Sequence, residues 1–286
     1  MSSNPSLSQE KIKKYRERTY RFLPELRIHS ESQAVNFLNE RKFIFFWPIQ
    51  GIPLPSLWGA TAGDRPVPNN HDDPGHITWR WKDNLLNQKK WYYAKILRRK
   101  STIISLDMVE YFITICENAF HTIEDFEYLH RIGNLSRIEL EIYSLLLSSG
   151  PLDSISLRER IRTLLTFSSG EFDRSLENLQ KNLQILPIGI SEKGRWRYAY
   201  LYDTVEHYFP KKIINASNIS MDLAREMILS AYFLSNGIAT INDVKKLLGW
   251  EICDIQQTLD SLLTTGIIHL INSEGSQQFF HKELLK

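Results

Sequence analysis

The spacing of apolar and polar positions changes period several times along the chain, and it reads most clearly in the second half. From Ser136 to Ser149, Ile138, Ile142 and Leu145 recur at helical spacing until Gly150-Pro151 stops the run. A second helix is expected from about Ser156, where Ser156-Leu157-Arg158-Glu159 has the Ser-x-x-Glu form that satisfies free amides at a helix start. Ser168-Ser169-Gly170-Glu171 repeats that signal, and Phe172, Leu176, Leu179 and Leu183 then share one face of a third helix. After this the period shortens. LQILPIGI, a turn at Ser191-Glu192-Lys193-Gly194 and RWRYAYLY predict a β-hairpin.

The same order recurs further on. MDLAREMILSAYFLSNG is a helix closed by Gly237, Thr240-Ile241-Asn242-Asp243 caps a second helix ending at Gly249, and EICDIQQTLDSLLTTG makes a third with Ile252, Ile255, Leu259 and Leu262 as its apolar face. IIHLINSEGSQQFFH supplies a hairpin turning at Ser273-Glu274-Gly275. Three helices and a hairpin are the winged-helix arrangement, and its repetition predicts two in tandem. The expected fold class is therefore α+β, mainly helical, with tandem winged-helix domains (helix-turn-helix plus β-hairpin wing).

The first half is less regular. Helices are expected over Ser8–Arg18, Ser30–Arg41, Lys82–Arg99 and Asp107–Asn118, with short strands at FIFFW and STIIS. A long Pro-, Gly- and Asp-rich loop separates Trp47 from Trp81, and loops of that length in a compact domain tend to be functional. The expected partition is a winged-helix-like domain with a loop insertion over 1–135, then winged helices over 136–214 and 215–286.

With 286 residues, 42% of them hydrophobic and 24% charged, the chain can bury real cores, which excludes disordered and low-complexity classes. Cys116 and Cys253 stand far apart in apolar surroundings, so they read as reduced core thiols of a cytoplasmic protein, and no Cys-based metal site is expected. No run approaches the ~20 apolar residues of a membrane span. The net charge of +2 conceals an asymmetry. Arg80, Lys82, Lys89, Lys90, Lys95, Arg98, Arg99 and Lys100 are opposed only by Asp83, whereas over residues 101–150 eight acids outnumber two arginines, so an anionic partner would meet the first segment.

That basic segment interleaves its cations with Trp79, Trp81, Trp91, Tyr92 and Tyr93, which suits phosphate neutralisation and base stacking. The alternative is one amphipathic helix burying Leu85, Tyr92, Ile96 and Leu97, its lysines merely solvated. A second basic stretch, Lys11 to Arg21, extends the patch. The third helix of the first repeat offers Arg174, Ser175, Glu177, Asn178, Lys181 and Asn182, and its wing adds Lys193, Arg195, Trp196 and Arg197. The equivalent helix of the second repeat carries Glu251, Asp254 and Asp260, which repel phosphate and point instead to packing against the rest of the chain or another protein. His71, Asp72, Asp73 and His76 form a cluster without metal-binding spacing, better read as a capped turn, in which an Asp beside a bound base would position a water. Asp64 is the other nearby acid. No phosphate-cradling glycine loop, dinucleotide fingerprint or nucleophilic triad is present, so neither a nucleotide cofactor nor a metal is expected.

At FIFFWPIQGIPLPSLW and GRWRYAYLYD, together with the tandem repeats, the chain resembles the AlkZ/YcaQ superfamily of winged-helix DNA glycosylases, and more closely its AlkZ-related branch. The resemblance implies a concave scaffold for duplex DNA and hydrolysis of the N-glycosidic bond of a damaged base. The family's catalytic Gln-x-Gln or Gln-x-Asp falls on Phe45-Phe46-Trp47, which has neither amide nor carboxylate to activate a water. Three readings stay open: a non-catalytic DNA binder, a carboxylate supplied by Asp64, Asp72 or Asp73, or a displaced alignment, with Glu110 and Gln50 as further polar groups nearby. Phe45, Trp47 and Trp81 are then candidates to stack on a base, and Arg80 to Lys100 with the wing cations to hold the backbone. The rival from another class is a protein-interaction scaffold.

Overall fold

The computed structural model describes residues 7–70, 72–116, 123–195, 197–273 and 276–286. Its first helices are α1 (Gln9–Thr19) and α2 (Glu31–Arg41), each begun by a serine whose side chain accepts a backbone N–H of the first turn, Lys11 N for Ser8 and Gln33 N for Ser30. Strand β1 (Phe43–Phe45) follows, then α3 (Leu57–Ala62), α4 (Ile77–Leu86), β2 (Tyr92–Lys95), β3 (Ser101–Ile104) and α5 (Val109–Thr114). Helix α3 and a single 3-10 turn at Pro74–His76 occupy part of what the sequence suggests is one long loop.

The helix expected over Lys82–Arg99 is two elements. It ends at Leu86, and the chain returns as β2, paired antiparallel to β3 with Tyr92 opposite Ile104. Trp91, Tyr92 and Tyr93 are all buried, a run covered on both faces, which a one-sided helix would not give. The buried positions Leu85, Tyr92, Ile96 and Leu97 mimic a helical stripe while belonging to different elements.

After α6 (Ile123–Arg131), the second unit runs α7 (Arg137–Ser149), β4 (Leu152–Asp153), α8 (Ser154–Arg162), α9 (Ser169–Lys181), β5 (Ile185–Ser191) and β6 (Ala199–Thr204), followed by α10 (Val205–Tyr208) and α11 (Pro210–Ala216). Reciprocal capping boxes start α7 at Ser136/Glu139 and α9 at Ser168/Glu171. Helix α8 begins earlier than its Ser-x-x-Glu suggests: Asp153 is the cap and accepts the Ser156 N–H at 2.9 Å. The third unit has α12 (Met221–Asn236), β7 (Ile238–Ala239), α13 (Ile241–Leu248), α14 (Ile252–Thr264), β8 (Ile268–Ser273) and β9 (Ser276–His281). The expected turn residues Glu274 and Gly275 lie outside the described residues. Ile255, Leu259 and Leu262 are buried as expected, but Ile252 is 51% exposed at the first turn of α14, where it points past the core, and Cys253 next to it is exposed and Cys116 only half-buried, so neither is a core thiol.

Three sheets of one topology result, ordered β1-β3-β2, β4-β6-β5 and β7-β9-β8, each an antiparallel hairpin whose second strand also pairs with a short strand from between the helices. The units are fused rather than strung. One apolar core joins Phe43, Tyr92 and Phe112 of the first, Leu183 and Leu186 of the second, and Tyr232, Leu259 and Phe279 of the third. A second core fills the other face of the first sheet (Phe37, Phe46, Trp81, Trp91), and a third, around Tyr143 and Leu179, is confined to the second unit with α6. Helix α1 packs on α12, where the Tyr20 hydroxyl donates to Asn236 Oδ1 at 2.7 Å in a buried contact. The described chain is thus a mainly helical α+β protein. Among the described residues no helix is long and apolar enough to cross a membrane.

Candidate nucleic-acid interface

The bend after β1 and the start of α4 bring a group of aromatic rings together. The partly exposed Trp47 ring lies 5.2 Å from Trp58, 5.8 Å from His76 and 5.9 Å from Trp79, in tilted and edge-on geometries. Its underside is fixed by the loop before α4. Asp73 accepts the Gly75 N–H at 2.8 Å and pairs with Arg65 at 2.6 Å, and the Arg65 hydrogen bond holds its carboxyl below the usual carboxylate range. A Cβ on Gly75 would stand 2.6 Å from the Trp58 ring, so only glycine allows this approach.

Trp79 remains 41% exposed at the rim, and beside it the hairpin of the second unit reaches α4. Lys82 is wholly buried there. Its ammonium donates to Tyr198 Oη at 2.9 Å and to Tyr200 Oη, pairs with Asp83 at 2.8 Å, and stands 4.8 Å from the Trp79 ring centre and 4.6 Å from that of Tyr200. Burial pushes the Lys82 ammonium below its ordinary value, against the opposing pull of Asp83, and burial pushes the Tyr198 and Tyr200 hydroxyls upward.

On the other side of Trp47 opens a cavity of about 460 Å³ lined by Trp47, Ile49, Lys95, Arg98–Ser101 and Glu177. Lys95 is paired with Glu177 across the boundary between first and second units. Arg98, Arg99 and Lys100 are exposed and, among the described residues, form no side-chain ion pair. Arg98 and Arg99 both adopt left-handed backbone, at φ 55° and 57°, which costs a non-glycine residue on the order of 1 kcal/mol each. The tight turn between β2 and β3 therefore presents three consecutive cations next to an aromatic ring.

Several residues picked out in the sequence do not reach this surface. Phe45 is fully buried in the sheet and Trp81 is 4% exposed in the core under α4, so neither can stack on a base without unfolding its surroundings. Lys82 is likewise enclosed and cannot meet phosphate. Lys89 donates to the Tyr208 carbonyl at 2.8 Å and lies 4.3 Å from the Tyr208 ring centre. Lys193 pairs with Asp153 at 3.3 Å, and Arg197 with Glu192. Arg80, Lys90 and Arg195 are exposed, and Trp196 lies outside the described residues, as does His71. On α9, Ser175 is buried, Glu177 meets Lys95, and Asn178 donates to Glu139 at 2.7 Å. That helix is packed against the first unit, leaving Arg174 and Lys181 to solvent.

Asp64 and Asp72 are exposed on the loop before α4, and neither lines the Trp47 cavity. Glu110 pairs with Lys212 at 2.8 Å, and Gln50 is exposed. Among the described residues no group of three or more His, Cys, Asp or Glu side chains is placed to hold a metal ion. Two contributors were not separable by sequence. Trp79 differs from Trp81 only in which side of α4 it occupies, and Glu177 enters the cavity from 82 residues beyond Lys95.

A family model described as AlkZ related matches residues 28–249. In structure the chain is similar to the Streptomyces sahachiroi DNA glycosylase AlkZ, at 12% identity with a TM-score of 0.60, covering 96% of this chain and 70% of that one. At that identity the likeness shows the fold alone. A search of curated proteins returns no match.

Proposed function

Taking as premise that the chain belongs to the AlkZ-related family, we propose that it binds duplex DNA at places where a base is missing or out of the stack, and that it does so without the family's own hydrolytic motif. The order helix, short strand, two helices and hairpin, repeated three times, supports reading each unit as a winged helix, with boundaries near residues 135 and 214. The observation that carries the reading is the union of Trp47 with the unpaired Arg98, Arg99 and Lys100 around one cavity. Cations hold phosphates while an aromatic plane occupies the space of a lost base. Phe45 and Trp47, where the family pattern has polar residues, offer no group to activate water; Phe45 is buried, and Trp47 alone of the two offers apolar surface to the cavity.

The test is fluorescence-anisotropy titration of a duplex at low and moderate salt with wild-type protein and an Arg98→Ala/Arg99→Ala/Lys100→Ala variant. The variant should bind more weakly, with a log–log salt slope shallower by about 0.9 per lost phosphate contact. Equal affinity and slope would remove this loop from the interface.

A second reading, base release, is favoured by one observation: Glu177 lines the Trp47 cavity. Its carboxylate would take a proton from a water attacking the anomeric carbon as the base departs with the bonding pair. Under that reading Glu177→Gln abolishes base release and leaves DNA affinity nearly intact. Release by the variant at the wild-type rate would exclude it.

A further inference from the structure

The larger cavity, of about 580 Å³, lies on the opposite side of the Arg98-Arg99 turn, where all three units converge. Its walls come from the turn itself and from Phe112 and Ile115, from Lys181–Leu183 at the end of α9, and from Arg225, Leu247–Glu251 and Asp254 of the third unit. The size falls within the ~300–1,000 Å³ of small-ligand sites, and position at a junction of domains is where such sites concentrate. We infer that this cavity binds a nucleotide, with Arg98, Arg99 and Lys181 taking the phosphate and Trp250 packing on the base.

Charge and shape both favour that ligand. Four cations line the cavity against two carboxylates, and Asp254 is already neutralised by Arg225 at 2.8 Å. Arg98, Arg99 and Lys181 are exposed and, among the described residues, unpaired, so their attraction for an anion is unspent. The half-buried Trp250 and the apolar Phe112, Leu247 and Leu248 supply apolar surface beside them. Arg98 and Arg99 also line the Trp47 cavity, so one strained turn faces two compartments, each with its own tryptophan. Phosphates bound at that turn would place a base in either.

The nucleotide has two sources, free in solution or unpaired within bound DNA, and the second rests on the DNA-binding reading above. Isothermal titration with deoxyadenosine and deoxyguanosine monophosphates tests the first. Anisotropy with a duplex bearing a short single-stranded flap, against the same duplex without it, tests the second. Trp250→Ala and, as a surface change that spares the core, Lys181→Glu are measured in both arms; these residues line the large cavity and not the Trp47 one. Mononucleotide binding lost at least tenfold in both variants supports a free-nucleotide site. A flap preference of tenfold or more that both variants abolish, read as the ratio of flap to plain-duplex affinity within each protein, supports the strand source. Wild-type binding of neither probe above the plain duplex, or variants equal to wild type in both arms, overturns the inference while leaving the plain-duplex result to judge DNA binding by itself.

Discussion

Replacing Lys82 examines how the second unit's hairpin is fastened to the first. In Lys82→Ala three buried methylenes disappear, at about 0.8 kcal/mol each. Asp83 loses its ion-pair partner at 2.8 Å but keeps the Tyr198 hydroxyl at 3.1 Å, and the Tyr200 hydroxyl loses a donor that water replaces poorly beside Tyr93 and Phe46, whereas Tyr198 is 39% exposed and is solvated instead. Leaving such groups unpaired costs about 1–3 kcal/mol, and relief from burying an ammonium offsets part of it. The expected net destabilisation is about 2–4 kcal/mol, the lost methylenes and an unpaired buried hydroxyl less the relief of the buried ammonium. Lys82→Met keeps the stem and should cost roughly half as much. Urea unfolding followed by tryptophan fluorescence measures both, and a melting-temperature drop of order 10 °C should accompany the alanine change. Hydrogen exchange should also quicken over Ala199–Thr204, the strand the ammonium holds. A Lys82→Ala variant within about 0.5 kcal/mol of wild type, with unchanged exchange, would refute the fastening role.

Further outcomes follow from neighbouring contacts. Gly75→Ala drives a methyl into the Trp58 ring and should destabilise by about 1–3 kcal/mol while altering the near-ultraviolet signal of the Trp47–Trp58 pair; an unchanged spectrum would count against the packing described. Burial pushes the His281 imidazole down from 6.5 to about 4, and its Nδ1 accepts the Glu283 N–H at 3.2 Å. Because the folded state resists that proton, stability present above pH 6.5 should fall as pH drops towards 4, by at most ~1.4 kcal/mol per pH unit, and His281→Gln should flatten this dependence in pH-scanned urea unfolding. Asp72→Asn should leave both DNA affinity and any base release unchanged, since Asp72 is exposed and does not line the cavity; loss of either would return the loop to the site.

Much of the fold was legible because local chemistry declares itself. The Ser136, Ser168 and Thr240 caps and the Gly237 and Gly249 stops fall where their side chains and backbone demand. Periodicity failed across 82–99, because a strand buried on both faces and the end of a helix can share apolar positions with one longer helix. The site was legible only in kind. Its basic, aromatic character is visible in the sequence, but which cations face solvent is decided by partners far along the chain. Lys82 meets tyrosines 116 and 118 residues away, Lys89 meets the carbonyl of Tyr208, and Lys95 meets Glu177. Trp79 and Trp81 look equivalent until α4 is laid on its core. What remains beside Trp47 after those pairings is the short run Arg98-Arg99-Lys100, while Arg80 and Lys90 are also exposed but do not line its cavity.

The most direct test of that assignment compares wild-type affinity for a duplex carrying an abasic-site analogue with affinity for the intact duplex, at two salt concentrations. Salt-sensitive binding to both is expected, tighter on the abasic duplex, with the difference lost in Trp47→Ala. Salt-insensitive binding, or equal affinity for the two duplexes that Trp47→Ala leaves unaltered, would contradict the assignment.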